Sequence, residues 1–359
     1  MEMMKFNDVF KDKTVLITGH TGFKGSWLSI WLRELGANVV GFALEPYTMK
    51  DNFVLCGLKD KLTHIIGDVR DYEKLKKVFD KYQPEFVFHL AAQPIVRESY
   101  LNPKETYDIN VGGTVNVFEC CRLTESVKVI INVTSDKCYE NKEWIWGYRE
   151  NDPMGGHDPY SASKGCSELI TAAYRNSFFD PQKFNEHGKS ISSVRAGNVV
   201  GGGDWQKDRL IPDCIRALES NKPIEIRNPA ASRPWQHVLE PLSGYLLLAA
   251  KMYSEPVKFS GAWNFGPNYG SVISVGEVVS MIVENWGQGE WIDTSDKSAP
   301  HEAKLLSLDT SKVRNMLNWK PQWNIENAVK NTVEWYKHYG KNDIYQFCTK
   351  QITEYSKAK

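Results

Sequence analysis

The chain has no surplus of either charge: Lys+Arg and Asp+Glu number 44 each among 359 residues. No global field therefore draws it to nucleic acid or to an anionic membrane, and an anionic ligand has to be held by local positive groups. It also lacks a long apolar run. No stretch approaches the roughly 18 residues expected of a spanning helix, and the opening MEMMKFNDVFKDK has no apolar core of the kind a secretory leader carries. The 7 cysteines are odd in number and show no paired metal-ligand spacing. With Cys120 and Cys121 adjacent in a helical pattern, they read as reduced, buried thiols of a cytoplasmic protein, with neither a disulfide framework nor a metal site. Internal repeats and low-complexity segments are missing as well.

What is present is an alternation of short β-branched runs and amphipathic stretches. Thr14–Thr18, Asn38–Phe42, Thr63–Gly67, Phe86–Leu90, Val129–Val133 and Ile191–Arg195 read as strands, and Phe23–Leu35, closed by Gly36, reads as the first helix. Strands separated by helices mean right-handed βαβ crossovers, hence an α/β chain with a Rossmann-type, doubly wound parallel sheet. After about residue 191, loops rich in Gly, Pro and Trp become frequent. The expected division is a dinucleotide-binding domain over 1–190 and a smaller α/β substrate domain over 191–359 that crosses back to the sheet. Only the tail after about 340 is polar enough to be loose.

The first strand runs into Gly19-His20-Thr21-Gly22-Phe23-Lys24-Gly25, which opens the first helix. Glycines at this spacing let the backbone turn tightly against a pyrophosphate, and the helix N-terminus adds amides and a positive dipole end. The acid that commonly holds the adenosine ribose is missing at Ala43; Glu45 could substitute or simply be solvated. No Arg stands nearby for a 2′-phosphate, which favours NAD over NADP. Asp68 and Val69 follow the third strand, where Asp68 could accept from an adenine amino group. Leu90, Ala91 and Ala92 follow the fourth, small enough to let backbone pass a dinucleotide. His89 reads as structural.

The segment Thr134-Ser135-Asp136-Lys137-Cys138-Tyr139 ends a run that looks like a central strand, where charge is costly unless it serves a purpose. Further on, Tyr160 and Lys164 are spaced i,i+4 and share a helix face. A cation beside a phenol lowers its pKa from about 10. With Ser135 to orient an oxygen, Tyr160 to take its proton and Lys164 to favour the phenolate, the set suits hydride transfer at an alcohol. Trp144 and Trp146, ahead of Tyr160, read as a lid over a ligand or as ordinary packing.

On these motifs, from about residue 12 to 340, the sequence resembles the extended short-chain dehydrogenase/reductase family in its nucleotide-sugar branch. Asn110–Asn116 resembles the family's helix beneath the nicotinamide, Arg195–Val199 its substrate-binding strand end, and Arg233–Val238 its phosphate-reading RxWxHV segment. Hexose 4,6-dehydratases of this branch carry an acid, and usually a Glu, directly after the Ser or Thr; 4-epimerases do not. Here Asp136 keeps the acid and Lys137 replaces the Glu. The resemblance implies NAD as a recycled cofactor, CDP-glucose as substrate, and a homodimer through a four-helix bundle of helices near 104–124 and 160–180. It implies roles for Ser135, Asp136, Lys137, Tyr160 and Lys164 in catalysis, with the three consecutive side chains lining one cleft. Lys137 is then a C5 base, a cation stabilising an enolate, or half of an ion pair. It further implies that Arg97, Asn198, Arg209, Leu210, Arg233, His301 and Lys304 contact the substrate. A 4-epimerase, a dehydratase for another nucleotide hexose (GDP-mannose, dTDP- or UDP-glucose) and a catalytically dead NAD-sensing scaffold are the alternatives; the last would be expected to lose Tyr160 or Lys164.

Overall fold

The computed structural model describes residues 6, 8–268, 272–295, 305–341 and 343–358. A seven-stranded sheet organises it. Strands β1 (Thr14–Thr18), β2 (Asn38–Ala43), β3 (Thr63–Ile66), β4 (Phe86–His89), β5 (Val129–Val133) and β6 (Ser190–Arg195) lie in the order β3-β2-β1-β4-β5-β6, and Gly261–Asn264 adds the outer strand beside β6. Every pairing in it is parallel. Two strands thus come from beyond residue 189, so the later part of the chain does return to the sheet.

Parallel sheets are covered on both faces, and the side-chain period of two divides their residues between the covers. Along β1, Val15 and Ile17 belong to one core with Trp27 and Trp31 of helix α1 (Phe23–Glu34) and with Leu242 and Leu246 of the helix Leu239–Ser254. Leu16 faces the other core, with Val40, Phe42, Leu75, Phe79, Val117 and Phe118. Shorter pairs, Val199–Val200 with Gln236–His237, Ser232–Pro234 with Val272–Ser274 and Ile224–Ile226 with Trp291–Asp293, form separate two-stranded sheets.

The tail is not loose. Ile344–Lys357 forms a helix that buries Ile344, Cys348, Ile352 and Tyr355, and the Tyr355 ring meets Trp31 of α1 edge-on at 5.8 Å. The apolar residues recur at steps of four, four and three, one narrow stripe on an otherwise polar helix, and this stripe outweighs the average polarity of the segment. All seven cysteines are free, and six of them are buried.

The strand order reverses between β1 and β4. In open α/β sheets the ligand crevice opens at such a switch point, outside the carboxyl ends of the strands.

Candidate active site

The turn after β1 is built around close approaches. Gly19 has φ +77, and a Cβ there would stand 2.7 Å from the Ala91 nitrogen; a Cβ on Gly25 would stand 2.1 Å from the Gly19 carbonyl oxygen. Helix α1 begins from Gly22 without a side-chain cap and has no acid in its first turn. Its leading N–H groups and dipole end therefore remain for an anion. Thr21 donates to the Leu44 carbonyl at 2.9 Å, tying this turn to the end of β2. Ala43 is buried and Glu45 exposed. Asp68 is paired with Arg70 at 2.6 Å, and Val69 packs beneath Gly113, whose missing Cβ makes the space. Leu90 and Ala91 donate their amides to the Thr18 hydroxyl, both at 3.2 Å. His89 is structural: its ring nitrogens bond Thr18 at 2.7 Å and Thr114 at 3.2 Å, and burial pushes its pKa down to about 3. The glycine turn, Asp68–Val69 and Leu90–Ala92 all lie along the carboxyl ends of β1, β3 and β4, in a cradle shaped for an extended dinucleotide.

The helix Pro159–Ser177 carries Tyr160 and Lys164. Pro159 stands in its first turn and Asp158 caps it, accepting from the Ser161 amide at 2.9 Å. It is docked by polar contacts: Ser99 Oγ accepts from the Tyr160 amide at 3.1 Å, and Asn110, on a π-helical turn Asp108–Gly112, donates to Ser163 at 2.8 Å. Both Tyr160 and Lys164 are buried.

After β5 the chain enters a short 3₁₀ turn, Asp136–Cys138, capped by Ser135. Ser135 Oγ accepts from the Lys137 amide at 3.2 Å and donates to Asp136 Oδ1 at 3.0 Å. Its hydroxyl also favours the Tyr160 phenolate. The turn separates the three consecutive residues: Ser135 and Asp136 are buried and Lys137 is exposed. A helical turn rotates successive side chains by about a third of a circle, so a splayed strand end is not what presents them.

Electrostatics depart from expectation in the same place. Burial pushes the Tyr160 pKa up to about 12, opposed by the Ser135 hydroxyl and by the charge of Arg209. Lys164 is itself brought down to about 8 by burial. In the protein alone, desolvation of the phenolate outweighs the neighbouring positive charge. Lys24, on the glycine turn, is likewise lowered to about 8, first by burial and then by Arg209, while Asp136 and Asp204 act to raise it. The glycine turn, the strand end and the segment before residue 210 thus converge on one cleft.

Arg209 enters that cleft held by Asp204 at 2.6 Å, immediately before the helix that Leu210 starts. Arg97 pairs with Asp208 at 3.1 Å on the exposed rim. Asn198 takes φ +48 and its carbonyl accepts from the Gln236 amide at 3.2 Å. Arg233 donates to the Ser232 carbonyl at 2.9 Å. His301 and Lys304 lie outside the described residues. Trp144 rests against the ring of Tyr148 at 5.2 Å, while Ile145 and Trp146 are exposed.

Sequence reasoning missed what supports this cleft from below. Glu168, one turn beyond Lys164, is fully enclosed with Arg195 at 2.7 Å and accepts from Ser193 at 2.6 Å. Arg195 donates onward to Tyr139 Oη at 2.6 Å, and Tyr139 donates to Asn264 at 2.7 Å. The available signal was the series Tyr160, Lys164, Glu168, an acid continuing the i,i+4 face.

Comparison with known proteins agrees with this geometry. The family model for GDP-mannose 4,6 dehydratase matches residues 16–332. The chain is 50% identical, over 97% of its length and 98% of the relative's, to a CDP-glucose 4,6-dehydratase of Salmonella typhimurium. The solved structure of MoeE5 in complex with UDP-glucose and NAD is 26% identical with a TM-score of 0.75, covering 90% of this chain and 99% of that one. A dTDP-glucose 4,6-dehydratase from Bacillus anthracis in complex with NAD shares the fold, with 20% identity, a TM-score of 0.73, and coverage of 90% and 96%. A match that spans the sheet, the glycine turn, the Ser135 strand end and the Tyr160 helix together leaves one assignment: the chain belongs to the GDP-mannose 4,6-dehydratase family.

Proposed function

We propose that the protein is an NAD-dependent hydro-lyase that converts CDP-glucose to CDP-4-dehydro-6-deoxyglucose and water. The observation that carries this reading is the buried Ser135–Asp136 pair hydrogen-bonded beside Tyr160. A 4-epimerase needs the phenol but has no use for a second buried acid. The 50% identity to the Salmonella enzyme supplies the nucleotide.

Bound NAD supplies a hydride acceptor that returns its hydride within the same turnover. The cradle fits it, with φ +77 at Gly19 and no Cβ at Gly25 where one would strike the turn. Gly19, Thr21, Gly22, Phe23, Lys24 and Gly25 hold the pyrophosphate side, with Asp68 and Val69 toward the adenine and Leu90–Ala92 beneath the chain between. The residues around the sugar then divide the work. Tyr160 takes the O4 proton as C4 is oxidised, and Ser135 orients that oxygen. The new carbonyl acidifies C5, whose proton passes to Lys137 and later returns from it. Asp136 protonates O6 as water leaves. Lys164 sets the phenol and the nicotinamide ribose. Arg209 and Arg233, with Arg97 at the rim, match a diphosphate, for which guanidinium geometry is suited; Asn198 and Leu210 line the same side. In this reading residues 1–190 bind the dinucleotide and 191–359 mainly the nucleotide sugar.

We further propose a cytoplasmic homodimer built on the helices around Gly113–Leu123 and Pro159–Ser177, which together expose Leu123 and Leu169. Seven free cysteines suit a reducing compartment, and no helix among the described residues is long and apolar enough to cross a membrane. Incubation with CDP-, UDP-, GDP- and dTDP-hexoses tests the whole reading. CDP-glucose should lose one water by mass and gain a keto group. A product of unchanged mass, inverted at C4, would establish the epimerase instead.

A further inference from the structure

The two oxygens of the Asp136 carboxylate are held in different ways. Oδ1 accepts from Ser135 Oγ at 3.0 Å. Oδ2 lies against Gly197, where a Cβ would stand 1.8 Å from it. Such a contact has no direction of its own, so the acid sits where the Gly197 peptide lets it sit. Packing does not brace that peptide on every side, because Gly197 also lines a cavity with Pro234, Gly266, Val272 and Leu308.

Gln236 holds the Gly197 peptide. It pairs with Val199 in a short parallel ladder, and its main-chain amide donates to the Asn198 carbonyl at 3.2 Å. Its side chain reaches one residue further back. Nε2 donates to the Gly197 carbonyl at 3.2 Å and to the Phe265 carbonyl at 3.1 Å. Both neighbours are carbonyls, so the side-chain amide has to turn its nitrogen toward them. Phe265 is a fixed point: it is fully buried, and its own amide donates to the Arg195 carbonyl at the end of β6 at 2.8 Å. Gln236 is 2% exposed, and its Oε1 meets no partner among the described residues. Among those residues the side chain is thus spent wholly on tying the Gly197 peptide to the sheet edge.

We propose that Gln236 is a positioning residue for the elimination step: it fixes Gly197 and, through it, the carboxylate of Asp136. This rests on the dehydratase reading above. Gln236 touches none of the reacting atoms and acts only through the acid. Its main chain grips Asn198 and its side chain grips Gly197, so a substitution at 236 releases one peptide and keeps the other. Substrate contacts at Asn198 therefore survive, and so does C4 oxidation at Tyr160. Protonation of O6 loses its geometry, because the glycine beneath the acid is free to shift toward the cavity.

The test uses a leaving group that needs no proton: CDP-6-deoxy-6-fluoroglucose, whose fluoride departs as an anion. The ratio of water loss from CDP-glucose to fluoride release from the fluoro-sugar cancels any loss of folded protein and any defect in the C4 step. In Gln236→Met this ratio should fall by about 10²-fold, the scale of a misplacement near 1 Å. KM for CDP-glucose should hold, and reduced nicotinamide should accumulate in single turnover. Gln236→Asn keeps the amide but is too short to span both carbonyls; it should show the same fall, and serves where Gln236→Met is too unstable to assay. Asp136→Asn should lower the ratio by about 10²- to 10⁴-fold, and adding Gln236→Met to it should lower it no further, since both act at one group. A merely structural role slows both sugars alike, and a ratio that stays at the wild-type value in the Gln236 variants would overturn the proposal. Independent, multiplying losses in the double variant would overturn it too. A ratio unchanged even in Asp136→Asn would overturn it by removing the acid that Gln236 serves. Failure of the wild type to turn over either sugar would instead overturn the function itself.

Discussion

The carboxylate of Asp136 lies against the α-carbon of Gly197, 61 residues later in the chain, so closely that a Cβ at 197 would stand 1.8 Å from Oδ2. Replacing Gly197 with Ala should therefore displace the acid without touching Tyr160. Turnover of CDP-glucose should drop by about 10²-fold or more, within the range for loss of an acid. Reduced nicotinamide should accumulate in single turnover, because C4 oxidation survives. Near-ultraviolet absorbance of the cofactor and the melting curve check the two halves; a wild-type rate would place Asp136 outside the reaction.

Tyr160 and Lys137 should separate the two halves of the reaction in the same assay. Tyr160→Phe removes the base for O4, and no reduced cofactor should appear. Lys137→Met should leave oxidation intact and slow exchange of the C5 proton with solvent, which mass spectrometry in deuterated water reads directly. Full exchange in Lys137→Met would show the exposed lysine to be a bystander.

Glu240 gives a pH dependence of stability. Its carboxyl is completely enclosed, accepting from the Trp323 amide at 2.7 Å and the Tyr355 hydroxyl at 2.6 Å, yet burial wins and pushes its pKa up to about 7. A carboxyl raised on folding binds more protons in the folded state, so its contribution is full below about pH 4.5 and is lost as pH rises toward 7. The shift corresponds to something on the order of 3 kcal/mol. Glu240→Gln should gain on the wild type between pH 5 and pH 8, measured as the difference between their denaturant midpoints; parallel curves would refute the assignment.

Arg195 should be costly to remove alone. With Glu168 sealed in the same pocket at 2.7 Å, Arg195→Met leaves a buried carboxylate unpaired and should destabilise by about 3–5 kcal/mol. The double variant Glu168→Gln with Arg195→Met should recover much of that loss, since no charge is stranded. Denaturant unfolding of the three proteins decides this, and a double variant as weak as Arg195→Met would argue against charge as the cause.

Much of this was readable beforehand, for reasons that are local. Four sheet strands match the expected runs to within one residue, and Thr14–Thr18 and Val129–Val133 match outright, because a buried parallel strand has to be a short apolar run. Tyr160 and Lys164 share a helix face by spacing alone. The tail was misread because its mean polarity hid the stripe of Ile344, Cys348, Ile352 and Tyr355.

The sequence by itself determined the elements, the crossover topology and the residue types at the strand ends, since these follow from periodicity, backbone freedom at glycine and helix spacing. Only the tertiary structure decided which of those residues meet and in what state of solvation. It set Asp136 on Gly197, brought Arg209 to Tyr160, enclosed Glu168 with Arg195, and left Lys137 exposed while burying Ser135 and Asp136. It also reversed the expected direction of the Tyr160 pKa. That direction depends on how much water the fold removes from the phenol, and desolvation is a property of residues far apart in the chain that no local spacing records.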